Sequence, residues 1–471
     1  MTRVQTKQRA ASWPVAAALC AAAATVATLS CGTRAAGSAS AGPSPQETAK
    51  VAARPKPLLR EFVGLNTHTT QFRPELYKPV TRLLRDYHNL KWDVGNDTSA
   101  ATRFPMSENG VNWQELYGGW RKAGYGINVC VQFSGIKPTD WKDVPKDAYR
   151  YGESFARFFG PSGKDLAEAA EIGNEPGDYP DPVYRTLFEN MAKGMRAGDP
   201  KLKIATCATF AKESGKYHKS LSTVKGLEHL YDVINLHSYA QAEGYPTWRR
   251  SFPEDPKLEF LKDVEEVIAW RDANAPGKEV WLTEFGWDST TKPNLTTGDF
   301  VKWEGVTDAQ QAQYIVRAFL GFTAMDLDRA YLYWFNDGDK PTVHASSGLT
   351  RDYQPKPSFH AVAHLLGSLG EYRFARAVER QPGKVYAFEF RKGSDPADRV
   401  WAVWSPTGSG RKETVTLTGL PGKVTKAERM PLAAGPAEKV ALVDGKDGGG
   451  ANGEARLEIT ESPTYLWMRA R

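Results

Sequence analysis

The chain has 471 residues, 41% of them hydrophobic and 25% charged, which excludes a small module and fits one large domain plus an accessory one. Its formal net charge is only +6, half of it from Arg3, Lys7 and Arg9, and no basic run is interleaved with aromatics. Nucleic acid is therefore not expected as a partner. The 14 Trp, 19 Tyr and 20 Phe supply rings that suit sugar C–H faces but equally fill cores.

Residues 1–31 read as an export signal: a basic start, then an Ala-rich apolar stretch from Trp13 to Leu29 that ends at Ser30-Cys31. An uncleaved transmembrane anchor is the competing reading, since the stretch comes near spanning length. Ala27-Thr28-Leu29-Ser30-Cys31 also resembles a loose bacterial lipobox, with Thr28 where Leu is usual. That would make Cys31 a lipidated N-terminus and the sole link to a membrane. The expected location is outside the cytoplasm of a bacterium: extracellular, periplasmic or lipid-anchored at the surface. Residues 32–58, rich in Ala, Gly, Ser and Pro, are expected to be a flexible linker. Cys130 and Cys207 lie in apolar, β-branched runs and read as buried core residues, with neither a disulfide framework nor zinc spacing.

From about 59 to 370 short apolar runs alternate with longer helical patterns, which predicts a (β/α)8 TIM barrel. Strands are expected at 61–66, 81–85, 126–133, 169–174, 202–206, 233–237, 280–284 and 330–335. Helical patterns fall between most of them, as at 148–159, 183–197, 256–273 and 308–325. The second strand competes with a single helix over 75–84. After 370 the runs shorten and alternate between Gly, Pro and Asp clusters, at 385–390, 400–404, 414–417, 439–443 and 455–459. This predicts a small antiparallel β-sandwich over 371–471, with an exposed loop at 444–454 and a core-packing final run at 462–468.

In such a barrel the reactive groups project from the C-terminal strand ends. Three of these ends carry poor core material: Asn174-Glu175-Pro176, His237-Ser238-Tyr239 and Thr283-Glu284-Phe285-Gly286-Trp287. Glycosidic cleavage needs one protonated and one ionised carboxyl group flanking the anomeric carbon, and two neighbouring carboxylates split their pKa values in that way. Asn174 can hydrogen-bond a sugar 2-hydroxyl, or merely cap a turn. Tyr239 can hold Glu284, and His237 can orient the sugar or the acid. His68 and Asn66 close the first strand, where a sugar contact is plausible; His88, Asn89 and Trp92 are further rim candidates. Trp287 can wall a subsite or pack a loop. No clustered ligand pattern argues for a metal, and no phosphate loop or dinucleotide fingerprint appears, so no cofactor is expected.

Asn174-Glu175-Pro176 after strand four, together with Thr283-Glu284-Phe285-Gly286 after strand seven, resembles clan-A retaining glycoside hydrolases, family-39-like or family-5-like. The two motifs stand 109 residues apart in the right strand order. The resemblance implies that Glu175 is the acid/base and Glu284 the nucleophile. It also implies that Trp334 is an aromatic platform and that Arg85 supports the nucleophile's charge. Many members carry Trp before the Asn-Glu-Pro, where this chain has Gly173. Hydrolysis of β-glycosidic bonds with retention is the expected reaction. A glycan-binding lipoprotein without turnover and a transglycosylase using the same residues are its rivals.

Overall fold

The computed structural model describes residues 54–443 and 453–470. The expected export segment, Cys31 and most of the expected linker lie outside the described residues. So does most of the expected loop at 444–454.

Eight parallel strands form the barrel: β1 (Val63–Thr67), β2 (Leu83–Asn89), β3 (Gly126–Gln132), β4 (Ala169–Ile172), β5 (Lys203–Phe210), β6 (Val233–His237), β7 (Glu279–Phe285) and β8 (Arg329–Leu332). They pair in the order β4-β3-β2-β1-β8-β7-β6-β5, and β4 pairs with β5 to close the ring. The register sets Asn66 beside Arg85, and Arg85 beside Asn128. Polar side chains of three strands thus meet in one layer inside the barrel.

The principal helices of the outer ring are α1 (Trp113–Lys122), α2 (Val144–Phe159), α3 (Asp181–Gly198), α4 (Phe260–Asn274), α5 (Asp308–Thr323) and α6 (Pro357–Leu369). Their starts are written locally. Asn112 and Asp143 cap α1 and α2, and Thr307 with Gln310 forms a capping box on α5. Helices α2 and α3 pack almost backbone to backbone. A Cβ on Gly152 would lie 2.2 Å from the Met191 carbonyl oxygen, and one on Gly194 would lie 2.0 Å from that of Tyr149. Only glycine allows that approach.

The second strand begins later and runs longer than the expected 81–85. The competing helix survives only as one turn, Pro74–Tyr77. Thr81 then ties the chain to the barrel by donating to the Val63 and Leu83 carbonyls. Beyond Arg85 the strand carries Asp86, Tyr87 and His88, so the two-residue alternation sends Tyr87 to Arg85's side and His88 to the opposite one.

Eight further strands follow: β9 (Tyr372–Gln381), β10 (Val385–Lys392), β11 (Asp398–Trp404), β12 (Glu413–Leu417), β13 (Val424–Arg429), β14 (Glu438–Lys439), β15 (Ala455–Ile459) and β16 (Thr464–Arg469). Six of them form an antiparallel sheet in the order β9-β10-β11-β16-β13-β14, and β12 pairs with β15. Val385, Ala387, Trp401, Val403, Leu466 and Met468 cluster with Leu417, Leu457 and Ile459 of the small sheet. Tyr386, Phe388, Phe390, Trp404 and Tyr465 join the barrel's own core. The seam is also polar: Trp404 donates to Glu254 at 2.7 Å, and Arg317, paired with Glu254, donates to the Thr407 carbonyl at 2.8 Å. Strands β9 and β13 escape the sequence pattern because their charged residues hide the alternation.

The expected linker ends earlier than residue 58. Arg54 pairs with Asp328 at 3.1 Å, Lys56 lies 3.5 Å from Asp326, and Leu58 is buried.

Candidate active site

Four barrel strands bring the site together. Glu284 stands near the end of β7, His237 ends β6, Arg85 and Tyr87 lie in β2, and Asn174 and Glu175 follow β4. Gly173 makes the turn into Asn174 with φ +94°. A Cβ there would be strained and would meet the Phe133 ring at 3.2 Å, so this backbone does not accept the Trp of the resembling families.

Glu284 is almost closed to solvent, with 8% side-chain exposure, and both of its oxygens are held. One accepts from Tyr87 at 2.6 Å and from Arg85 at 3.0 Å; the other accepts from Tyr239 at 2.8 Å. Burial by itself would raise this carboxyl's pKa. Attraction to His237 and Arg85, with the two phenol hydrogen bonds, outweighs that and holds it below the usual carboxylate range.

Glu175 is shifted the other way. Burial raises its pKa, the neighbouring Glu284 charge adds to the rise, and the hydrogen bond and charge of His237 only partly oppose it. His237 Nδ1 lies 3.0 Å from a Glu175 oxygen and 3.6 Å from a Glu284 oxygen. Its Nε2 lies 3.4 Å from an Arg85 nitrogen. Oxygens of Glu175 and Glu284 lie within 4.8 Å of each other. The environments thus favour a protonated Glu175 beside an ionised Glu284.

Beneath the pair lies a fully buried carboxylate that the sequence did not single out. Arg85 grips Glu171 through two parallel hydrogen bonds, 2.9 and 2.8 Å long. Asn235 donates to Glu171 at 3.0 Å, and Asn128 also donates to it. The same guanidinium donates to Asn66 and to Asn174, both at 2.9 Å. Arg85 therefore anchors the floor of the barrel, the Glu284 carboxylate and the Asn174 amide at once. Tyr87 is another residue missed. Strand alternation from Arg85 would have found it, had the strand been read past 85.

His68 stacks on Tyr87, with ring centroids 5.0 Å apart, and meets Trp334 edge-on at 4.3 Å. Burial pushes the His68 pKa down to about 4, so the imidazole is neutral at ordinary pH. Nε2 of His68 and Nε1 of Trp334 are buried without a protein partner. Both expected substrate contacts therefore keep free polar atoms beside the site.

Other expectations are corrected. Trp287 walls no subsite; it is wholly buried among Phe260, Phe285 and Tyr314, and its indole donates to the Ser251 carbonyl at 2.7 Å. His88 is equally buried, 2.6 Å from Asp93 and stacked on Trp113, on the side of β2 that faces the helices. Arg250 is a support the sequence did not reveal. It lies over the Tyr239 ring at 4.3 Å and pairs with buried Asp288 at 3.1 Å. Among the described residues, Glu175, His237 and Glu284 are also the group spaced to share a metal ion, although Arg85 sets a competing positive charge against Glu284. Cys130 and Cys207 are buried free thiols, and no described helix is long and apolar enough to cross a membrane.

No protein-family model and no curated protein matches the chain. Solved structures do. A family 39 glycoside hydrolase from Bacteroides cellulosilyticus WH2 superposes with a TM-score of 0.64 at 17% identity, covering 88% of this chain and 82% of that one. A glucosidase from Croceicoccus marinus gives 0.59 at 14% identity, covering 89% and 98%. An α-L-arabinofuranosidase from Thermotoga maritima gives 0.56 at 14% identity, covering 88% and 97%. The chain shares the fold of these glycoside hydrolases along most of its length.

Proposed function

We propose that the chain is a retaining glycoside hydrolase that cleaves β-glycosidic bonds by double displacement. The observation that carries this reading is the pair of carboxyl groups in opposed environments, with oxygens within 4.8 Å of each other. Retaining enzymes hold the two groups about 5–5.5 Å apart, whereas inverting ones leave about 6.5–9.5 Å for a water.

Glu284 attacks the anomeric carbon, and protonated Glu175 delivers its proton to the departing oxygen. Glu175 then takes a proton from water as that water displaces the sugar from Glu284. Arg85, Tyr87 and Tyr239 keep the nucleophile ionised and fixed before attack. Trp334, partly exposed, offers its ring face to the sugar. The neighbours with this fold act on different sugars by their descriptions, so the fold supports a reaction and leaves the sugar to the loops. Export is part of the proposal, with Cys31 as a lipidated N-terminus or cleaved away with the signal; intact-mass measurement of protein from the cell envelope distinguishes the two.

The test is hydrolysis of a panel of aryl β-glycosides and polysaccharides, with product stereochemistry followed by NMR. Cleavage with retention, slowed by orders of magnitude in Glu284→Gln and, for polysaccharides, in Glu175→Gln, supports the reading. Inverted product overturns the mechanism. Binding without cleavage turns the reading to a glycan-binding protein, and transfer to sugar acceptors in place of water turns it to a transglycosylase.

A further inference from the structure

The sandwich sheet changes character along one face. From β10 and β11 that face shows Val385 and Ala387 with Trp401 and Val403, all in the sandwich core. Past Trp401 the same face turns basic. Arg373 of β9 stands opposite Arg391 of β10, and Arg391 stands opposite Arg399 of β11. Like charges directly opposite on neighbouring strands are destabilising, so three in register call for counter-charge.

A single carboxylate, Glu389, lies among them and is fully buried. Arg391, Arg399 and Arg376 approach it at 2.8, 3.1 and 3.2 Å, and the Trp401 indole donates to it at 3.3 Å. Three guanidiniums share one negative charge. The nearby acids are already engaged: Asp395 with Arg469 at 2.8 Å and Asp398 with Lys392 at 3.4 Å. Arg373 spends a donor on the Lys56 carbonyl at 2.5 Å. Arg376 and Arg391 remain open to solvent, with 50% and 42% side-chain exposure. Arg399 keeps a buried Nε without an acceptor.

We propose that this arginine row is a second carbohydrate site, which binds the carboxylate or sulfate groups of an acidic polysaccharide. Glu389 pre-orients the guanidinium forks, and the excess positive charge takes the ligand's anions through paired N–H donors. Strands lie about 4.8 Å apart, so the row repeats at a spacing close to that of one monosaccharide in an extended chain. A polymer bearing an acid on successive sugars then meets one arginine per strand.

The proposal goes beyond the catalytic reading and does not depend on it. The experiment is affinity electrophoresis of the full chain through gels containing polygalacturonate, dextran sulfate or neutral dextran. Retardation by one or both polyanions and none by dextran is expected, and the stronger polyanion identifies carboxylate or sulfate as the preferred group. The double variant Arg376→Gln/Arg391→Gln should weaken retardation at least about tenfold while leaving aryl-glycoside turnover at assay temperature unchanged; it should unfold at a lower temperature, because buried Glu389 loses two of its three arginines. The single variants, each about threefold weaker by the same measure, serve if the double variant unfolds. Equal retardation of wild type by dextran and by the polyanions overturns the proposal, as does a folded double variant retarded like wild type. Retention of polyanion binding by a protein with no glycosidase turnover overturns the catalytic reading and leaves this site standing.

Discussion

Tyr87 and Glu284 face each other across the barrel, phenol oxygen to carboxylate oxygen at 2.6 Å, and Arg85 binds the same carboxylate oxygen at 3.0 Å. One oxygen of the Glu284 carboxylate thus carries two donors, while the other carries the Tyr239 phenol at 2.8 Å. Removing the Tyr87 hydroxyl should cost about 1.5–3 kcal/mol of transition-state stabilisation, the value of a hydrogen bond to a charged group, or about 10–150-fold in kcat/KM. Tyr87→Phe should also move the acid limb of the pH profile upward, because the lost bond holds the Glu284 pKa down. Steady-state kinetics across pH checks both, and an unmoved acid limb would contradict this role for Tyr87.

The pH dependence of the parent enzyme follows from the two shifts. In the proposed mechanism activity requires Glu284 ionised and Glu175 protonated. The acid limb of kcat/KM should fall below the ordinary Glu value of about 4.3, and the alkaline limb above it. Glu175→Gln should abolish the alkaline limb and keep the acid one. An alkaline limb that survives in that variant assigns it to another group.

Leaving-group dependence separates the two carboxylates. Glu175→Ala should slow cleavage of poor leaving groups by about 10²–10⁴-fold, the usual value of general acid catalysis. It should spare the first step for dinitrophenyl glycosides, which need no proton. Glu284→Ala should lose both. Pre-steady-state bursts on the two substrate types provide the comparison.

Glu171 contributes to the site by holding Arg85. Glu171→Leu removes one partner of a buried pair, which typically destabilises by about 3–5 kcal/mol. The lower end is expected, since Glu284 still faces the guanidinium. Denaturant unfolding measures it. A loss under about 1 kcal/mol would mean the pair is not the anchor its geometry describes.

The two expected sugar-facing tryptophans should behave differently. Trp287→Ala is a core truncation costing about 3–5 kcal/mol of stability. Trp334→Ala should raise KM with little loss of stability, because the ring is partly exposed beside His68. Thermal unfolding and KM measured on both variants check this contrast. A raised KM in folded Trp287→Ala protein would return that residue to the substrate.

The sequence by itself determined the βα alternation and set Glu175 and Glu284 at strand ends, because burial periodicity and polar residues at strand ends are local patterns. It also placed Asn174, His237 and Tyr239 beside them, since each travels within a few residues of a strand end. Only the tertiary structure decided that Arg85 joins Glu171, Glu284 and Asn174, and that Tyr87 rather than His88 faces Glu284. Those contacts depend on where β2 starts and stops, and a one-residue change in a strand turns each side chain to the other face. Trp287 shows the same limit, because a large aromatic after a catalytic residue has one composition whether it meets sugar or core. The arginine row was invisible along the chain for a related reason: Arg373, Arg391 and Arg399 become neighbours only when three antiparallel strands fall into register.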